Sequence, residues 1–395
     1  MRQPLDGLFV LDFSTLLPGP LASLMLSAAG ADVVKIERPG TGEDMRDFPP
    51  QFEGASLGYA VLNQGKKSIA LDLKSKHAVG ALTPLIKRAD VLVEQFRPGV
   101  MDRFGLGYEA VRKINPKIIY CSITGYGQTG PKRLNAGHDL NYMGDSGLLS
   151  TSTGPIDNPT LPPALIADVG GGSYPAVINI LLALLARDQT GDGTHIDIAM
   201  AENVFAFSYW GFTQGAGLGE ELPNGGELLS GGSPRYQLYP TSDDRLIAVG
   251  AIEQKFWEAF CGIIDLPAEL CDDAKDPEGT ITAIGDILRR RSAKEWEPLL
   301  KAGDCCCTIV RNMNEVRIDP HYIARGVFDR PVAVAGLENG AMPALPIPVA
   351  PQFRGSSDAI KSAPDLGADN DALGITQEGI TQEGIAHEGG AKKVT

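Results

Sequence analysis

An apolar run, Leu8-Phe9-Val10-Leu11-Asp12-Phe13, is followed by a helix-forming stretch and then by a second apolar run, all in under forty residues. This spacing constrains the chain most, because two strands joined through a helix lie parallel in one sheet. Pro18-Gly19-Pro20 punctuates the first turn, Leu21 to Ala28 carries helix formers, and Gly30 marks a stop before Ala31 to Glu37. The alternation continues. Ser68 to Leu73, Val91 to Phe96 and Ile118 to Thr124 read as strands, with Lys76 to Lys87 and Tyr108 to Ile114 as helices. Pro84 is expected to kink or shorten the first of these helices. Branched residues are frequent in the strands, as expected where helices cover both faces of a sheet. Tyr174 to Ala186 reads as a helix with Pro175 in its first turn, and Thr194 to Met200 as a further strand. The expected class is α/β with a parallel sheet.

At 395 residues the chain exceeds one ordinary core and is expected to divide in two. Composition shifts near residue 211, and Gly215 to Gly232 is glycine-rich. Beyond it, short strands at Tyr236 to Tyr239 and Leu246 to Gly250, with helices at Lys255 to Ile263 and Thr282 to Arg291, suggest a smaller α+β domain. The expected boundaries are 1–211 with 325–370 for the large domain, 212–232 for a linker and 233–324 for the small domain. Residues 371–395 are expected to form a tail, because three copies of a five-residue unit, Gly374-Ile375-Thr376-Gln377-Glu378 and its repeats, bury no core.

The net charge of −14 argues against nonspecific binding to nucleic acid or anionic membranes. No run approaches the roughly 20 apolar residues of a membrane span, and the first residues lack a basic-then-apolar leader. The expected location is cytoplasmic. Six cysteines include Cys305-Cys306-Cys307 but no CxxC spacing, so no metal site is expected.

Two short segments carry ionisable groups beside small residues: Gly137-His138-Asp139 and Ala167-Asp168-Val169-Gly170-Gly171-Gly172. A histidine and a carboxylate from separate segments could flank one substrate carbon and move a proton beside a carbonyl. Asp168 also suits the start of the following helix, where the dipole favours negative charge. Three glycines open a helix poorly, but they admit a ligand close to the backbone and could offer N–H groups to an oxyanion. Gly125-Tyr126-Gly127-Gln128-Thr129-Gly130 matches GxGxxG, yet Pro131 to Asn135 opens no amphipathic helix. Gly125 and Gly127 are therefore expected in a loop over a strand's C-terminal end, where ligands bind in such sheets. Arg38, Lys66, Lys67 and Arg97 recur at or near strand ends and could converge on a phosphate-bearing ligand.

Taken together, the chain resembles the CaiB/BaiF-type class III CoA-transferases, in the branch containing α-methylacyl-CoA racemases. The resemblance is carried in order by Val10-Leu11-Asp12, Leu17-Pro18-Gly19-Pro20, Gly30 to Glu37, Asn63 to Ser68 and Arg97-Pro98-Gly99-Val100. Gly137 to Tyr142, Ala167-Asp168 and Ala248 to Glu253 complete it. It spans roughly residues 5 to 370. The resemblance implies a large Rossmann-like domain, a smaller domain and an interlocked homodimer. It implies CoA as part of the substrate rather than a cofactor, with Arg38 and Arg97 near its phosphates. In the racemases of this branch His138 and Asp168 would stand on opposite faces of the α-carbon, and Glu253 would fix the His138 tautomer. In the transferases Asp168 would attack the acyl thioester. His138 and Glu253 together favour the racemase. Ala164 stands where that branch carries Asn, and Arg235 replaces an expected aromatic. A cation at Arg235 would suit a substrate carboxylate.

Overall fold

The computed structural model describes residues 2–337, 339–355 and 360–375. They form two compact units: residues 2–142 with Leu165–Asn203 and the described residues from Ala324 onward, and Met143–Ala164 with Val204–Ile323. Residues 143–164 and 204–211, expected with the large domain, thus belong to the second unit. The repeats from Thr376 onward lie outside the described residues. Leu373 and Ile375, expected to begin the tail, pack on the first unit's core.

The first unit is built on β1 (Phe9–Phe13), α1 (Pro18–Ala28), β2 (Asp32–Glu37), α2 (Leu57–Asn63), β3 (Lys67–Ala70), α3 (Ala78–Arg88) and β4 (Val91–Glu94). α4 (Tyr108–Ile114), β5 (Ile119–Thr124), α5 (Asp139–Asp145), α6 (Tyr174–Thr190) and β6 (Thr194–Ala199) follow. The six strands are all parallel and ordered β3-β2-β1-β4-β5-β6. This is the doubly wound order whose direction reverses between β1 and β4, the place where sheets of this kind bind ligands. Apolar side chains fill the strands: every residue of β1, β4 and β5 is buried. α3 runs through Pro84 to Arg88, because Ala78, Leu82, Leu85 and Ile86 anchor it in the core.

The edge strand β3 does not end in open hydrogen-bonding groups. Asp369 accepts the Ser68 N–H at 2.9 Å, while Asn370 accepts the Ala70 N–H at 2.8 Å and donates to its carbonyl at 3.1 Å. Beneath the sheet's other neighbours lies a buried ionic knot. Lys66 Nζ reaches Asp12 at 3.3 Å, Asn63 Oδ1 at 2.8 Å and the Pro20 carbonyl at 3.0 Å. Lys35 Nζ meets Glu43 at 3.2 Å and the Ser14 carbonyl at 2.7 Å. Burial opposes the Asp12 charge, yet the two lysines and the hydroxyls of Ser14 and Ser23 hold its carboxyl well below the usual range.

Ile166–Thr190 is continuously helical over 25 residues, and by length and composition it could cross a membrane. The core helix of a soluble protein passes the same test. Here Ala176, Ile180 and Ala183 are buried and the helix packs on β5 and β6, while Ile178, Leu182 and Leu185 are exposed.

The second unit contains β7 (Tyr236–Pro240), β8 (Leu246–Gly250) and β9 (Cys307–Ile309), antiparallel in the order β9-β8-β7. Trp257, Phe260, Ile284, Leu288, Trp296 and Leu300 form its core from three amphipathic helices. A helix, Tyr209–Leu218, runs into the expected linker 212–232, which the glycine content concealed.

Candidate active site

His138 immediately precedes α5. Its backbone N–H donates to Asn141 Oδ1 at 3.0 Å, and its carbonyl accepts from Asn141 N, which fixes the turn. The His138 side chain is exposed and Asp139 is buried. Asp139 Oδ1 accepts the backbone N–H of Asp168 at 2.9 Å. One hydrogen bond therefore joins the two segments singled out in the sequence.

Asp168 does not precede a helix but sits within one. Ile166–Ser173 forms a π-helical turn, wider than an α-helix, closed by the Tyr174 N–H reaching back to Val169 O. Such turns recur at functional sites. Gly170–Gly172 belong to this turn rather than to an open loop, which corrects the expectation of a glycine cradle. Gly172 serves close packing instead. A Cβ on Gly172 would come within 3.1 Å of both Pro18 Cβ and Met200 Sδ. Ser173 Oγ donates to Pro18 O at 2.7 Å, so the Asp168 segment lies on the start of α1.

Burial, and then the neighbouring Asp139 carboxylate, push the Asp168 carboxyl up to about 6, while His138 opposes the rise. His138 and Asp168 thus feel one another's charge. Tyr142 completes the cluster. Its hydroxyl donates to the Gly137 carbonyl, and its ring stands edge-on to Tyr126 at 5.3 Å between centroids. Burial first and Asp168 second push the phenol up to about 12, with Arg97 acting the other way. Asp139 and Tyr142 escaped the sequence reading as site residues. The signal was present: both belong to the motif that carries His138.

The proposed phosphate ligands separate. Arg97 is exposed, follows β4 and makes no ion pair among the described residues. Arg38 follows β2 and is also exposed, but it pairs with Asp44 and donates to Gly42 O. Lys67 begins β3 and so lies on the opposite sheet edge, paired with Asp32 at 2.8 Å. Lys66 is fully buried in the ionic knot and presents no charge outward. The reason is strand direction: Lys66-Lys67 enter a strand, whereas Arg38 and Arg97 leave one. Gly125 and Gly127 do not present a free cradle either. The Gly127 N–H is taken by Thr124 Oγ1 and the Gln128 N–H by Asp197, both at 2.9 Å. A Cβ on Gly125 would fall 2.3 Å from the Tyr142 ring, so this glycine makes room for Tyr142.

At the start of α1, Pro18 and Pro20 lack an N–H, Gly19 donates to Gln95 Oε1 at 3.0 Å, and Leu21 donates to Leu17 O. The helix start at the strand-order reversal therefore offers no N–H to a phosphate. Among the described residues, no group of three or more His, Cys, Asp or Glu could hold a metal ion.

Within the second unit, Glu253 precedes the helix Gln254–Ile264. Arg235 is fully engaged there. Its guanidinium binds Asp273 through two bonds of 2.9 and 2.7 Å, and donates to Ile252 O at 3.1 Å and Gln254 Oε1 at 2.9 Å. It braces the residues on either side of Glu253 and has no free face for the substrate carboxylate expected above.

A carboxyl of raised proton affinity beside an exposed imidazole can exchange protons with a carbon acid near neutral pH. The same carboxylate, once ionised, could act as a nucleophile. Comparisons with known proteins meet the same fork. Human α-methylacyl-CoA racemase is 36% identical over 330 residues, covering 82% of each chain. Human succinyl-CoA:glutarate CoA-transferase is 33% identical over 337 residues, covering 82% of this chain and 76% of its own. A CaiB/BaiF family protein from Brucella suis superposes with a TM-score of 0.77 at 27% identity, covering 94% of this chain and 99% of its own. The model of CoA-transferase family III matches residues 5–370, and the chain belongs to that family of enzymes.

Proposed function

We propose that this enzyme inverts the stereocentre of a 2-methylacyl-CoA thioester by proton transfer between His138 and Asp168. The observation that supports this reading most is the Asp168 carboxyl, raised to about 6 within electrostatic reach of His138. One group removes the α-proton, leaving an enolate, and the other returns a proton to the opposite face. Asp168, its carboxyl raised toward the working pH, can give a proton in one direction and take it in the other. Arg38 and Arg97, exposed where β2 and β4 end, are the cations best placed for the CoA phosphates. The protein acts as a homodimer, which the exposed apolar residues Ile178, Leu182 and Leu185 of α6 favour.

The second reading is a CoA-transferase working through Asp168, and the likeness to the succinyl-CoA:glutarate enzyme favours it. One experiment separates the two. The enzyme is incubated with a 2-methylacyl-CoA in deuterated water, with and without a dicarboxylic acid. Deuterium at the α-carbon without acceptor, lost in His138→Gln, supports inversion. CoA appearing on the acceptor, with no α-deuterium and no effect of His138→Gln, would overturn it in favour of transfer.

A further inference from the structure

The C-terminal part of the first unit gathers three cations around one small cavity. Arg330, Arg354 and Lys361 line a space of about 60 Å³ together with Ser27 and Gln64. Among the described residues that line it there is no carboxylate. All three cations are half-buried. Two of them are held from behind. Arg330 Nη2 donates to Gly355 O at 2.6 Å. Lys361 lies along Gly65, where a Cβ would come within 2.7 Å of its stem, and the Gly65 N–H binds the next carbonyl, Ser362 O, at 2.8 Å. Arg354 Nε is buried and has no hydrogen-bond partner among the described residues.

Burial, and then Arg330, push both Arg354 and Lys361 below their ordinary values. Like charges crowded around one void, with a donor left over, are unfavourable unless an anion joins them. We propose that this cavity binds a small tetrahedral oxyanion of the phosphate or sulfate class. A single water needs roughly 10–15 Å³ by the same kind of measure, so the space admits a group of four oxygens and little more. Guanidinium groups match such an anion through paired N–H donors. The site is separate from the reaction centre. Leu24, Ser27 and Ala28, in the C-terminal half of α1, line the cavity, whereas the start of α1 meets the Asp168 segment. Along α1 the two are about 9–15 Å apart, at about 1.5 Å per residue.

The test compares thermal unfolding of the intact protein in chloride and in phosphate at matched ionic strength. At about 10 mM phosphate the expected rise in Tm is roughly 2–4 °C. Sulfate should act similarly. Arg354→Gln should abolish the rise, and in chloride it should melt no lower than the wild type, because it removes repulsion. A CoA arm distinguishes the sources. CoA stabilisation that survives Arg354→Gln assigns the site to free phosphate, and stabilisation lost with that variant assigns it to a phosphoryl group of CoA. Equal Tm in phosphate and chloride, or a full phosphate shift retained in Arg354→Gln, overturns the proposal. Arg354 has no part in proton transfer, so the outcome is independent of the deuterium experiment.

Discussion

Asp168 has a cost at neutral pH. Its carboxyl is raised from 3.8 to about 6 by burial and by Asp139, so the folded chain holds that proton more tightly than the unfolded chain does. The resulting stability is complete below about pH 4 and is lost as pH rises through about 6. Above that, an uncharged substitute is better. Asp168→Asn is expected to gain roughly 1–2 kcal/mol at pH 8, after discounting for solvent near a half-buried group, and nothing at pH 4. Melting curves at the two pH values check this, and an equal effect at both would refute it. The same variant should lose inversion by about 10²–10⁴-fold, the usual worth of a missing acid–base group. Sequence reading singled out His138 and Asp168 from their glycine-flanked settings, and the structure joins their segments, but it did not foresee the burial of Lys66 or the engagement of Arg235. Their fates depend on partners far along the chain, Asp12 for the lysine and Asp273 for the arginine, and nothing local announces such pairings.

At the scale of elements, the strands and most helices were legible because hydrophobic periodicity is a local property. The π-helical turn was not, because glycines predict against any helix, and the packing of Gly172 on Pro18 and Met200 joins residues far apart in the chain. Two substitutions probe elements rather than chemistry. Gly125→Ala drives a methyl into the Tyr142 ring and should destabilise by about 1–3 kcal/mol through overpacking. It should also weaken catalysis, since Tyr142 holds the Gly137 carbonyl beside His138. Denaturant titration with steady-state rates measures both effects, and an unchanged midpoint would refute the packing role. Lys66→Met leaves Asp12 short of one of its two cations in a fully buried site and should cost about 3–5 kcal/mol. Asp12→Asn combined with Lys66→Met should recover part of that loss, which a double-mutant cycle would detect.

For the whole molecule, the division into two units was visible as a shift in composition, but their boundaries were not. Residues 143–164 join the second unit across a long stretch of sequence, and no compositional signal marks such a return. The proposed homodimer makes a prediction at this scale. Light scattering should give twice the mass of 41.9 kDa, and Leu182→Glu with Leu185→Glu should shift it toward one copy. A monomer in the unmodified protein would refute the assembly. The seal that Asp369 and Asn370 place on β3 has a practical corollary. Cutting the polypeptide before position 367 would bare a flank ready to recruit further copies edge to edge, and precipitation rather than a smaller soluble enzyme should result. Affinity tags and fusion partners therefore belong after Ile375.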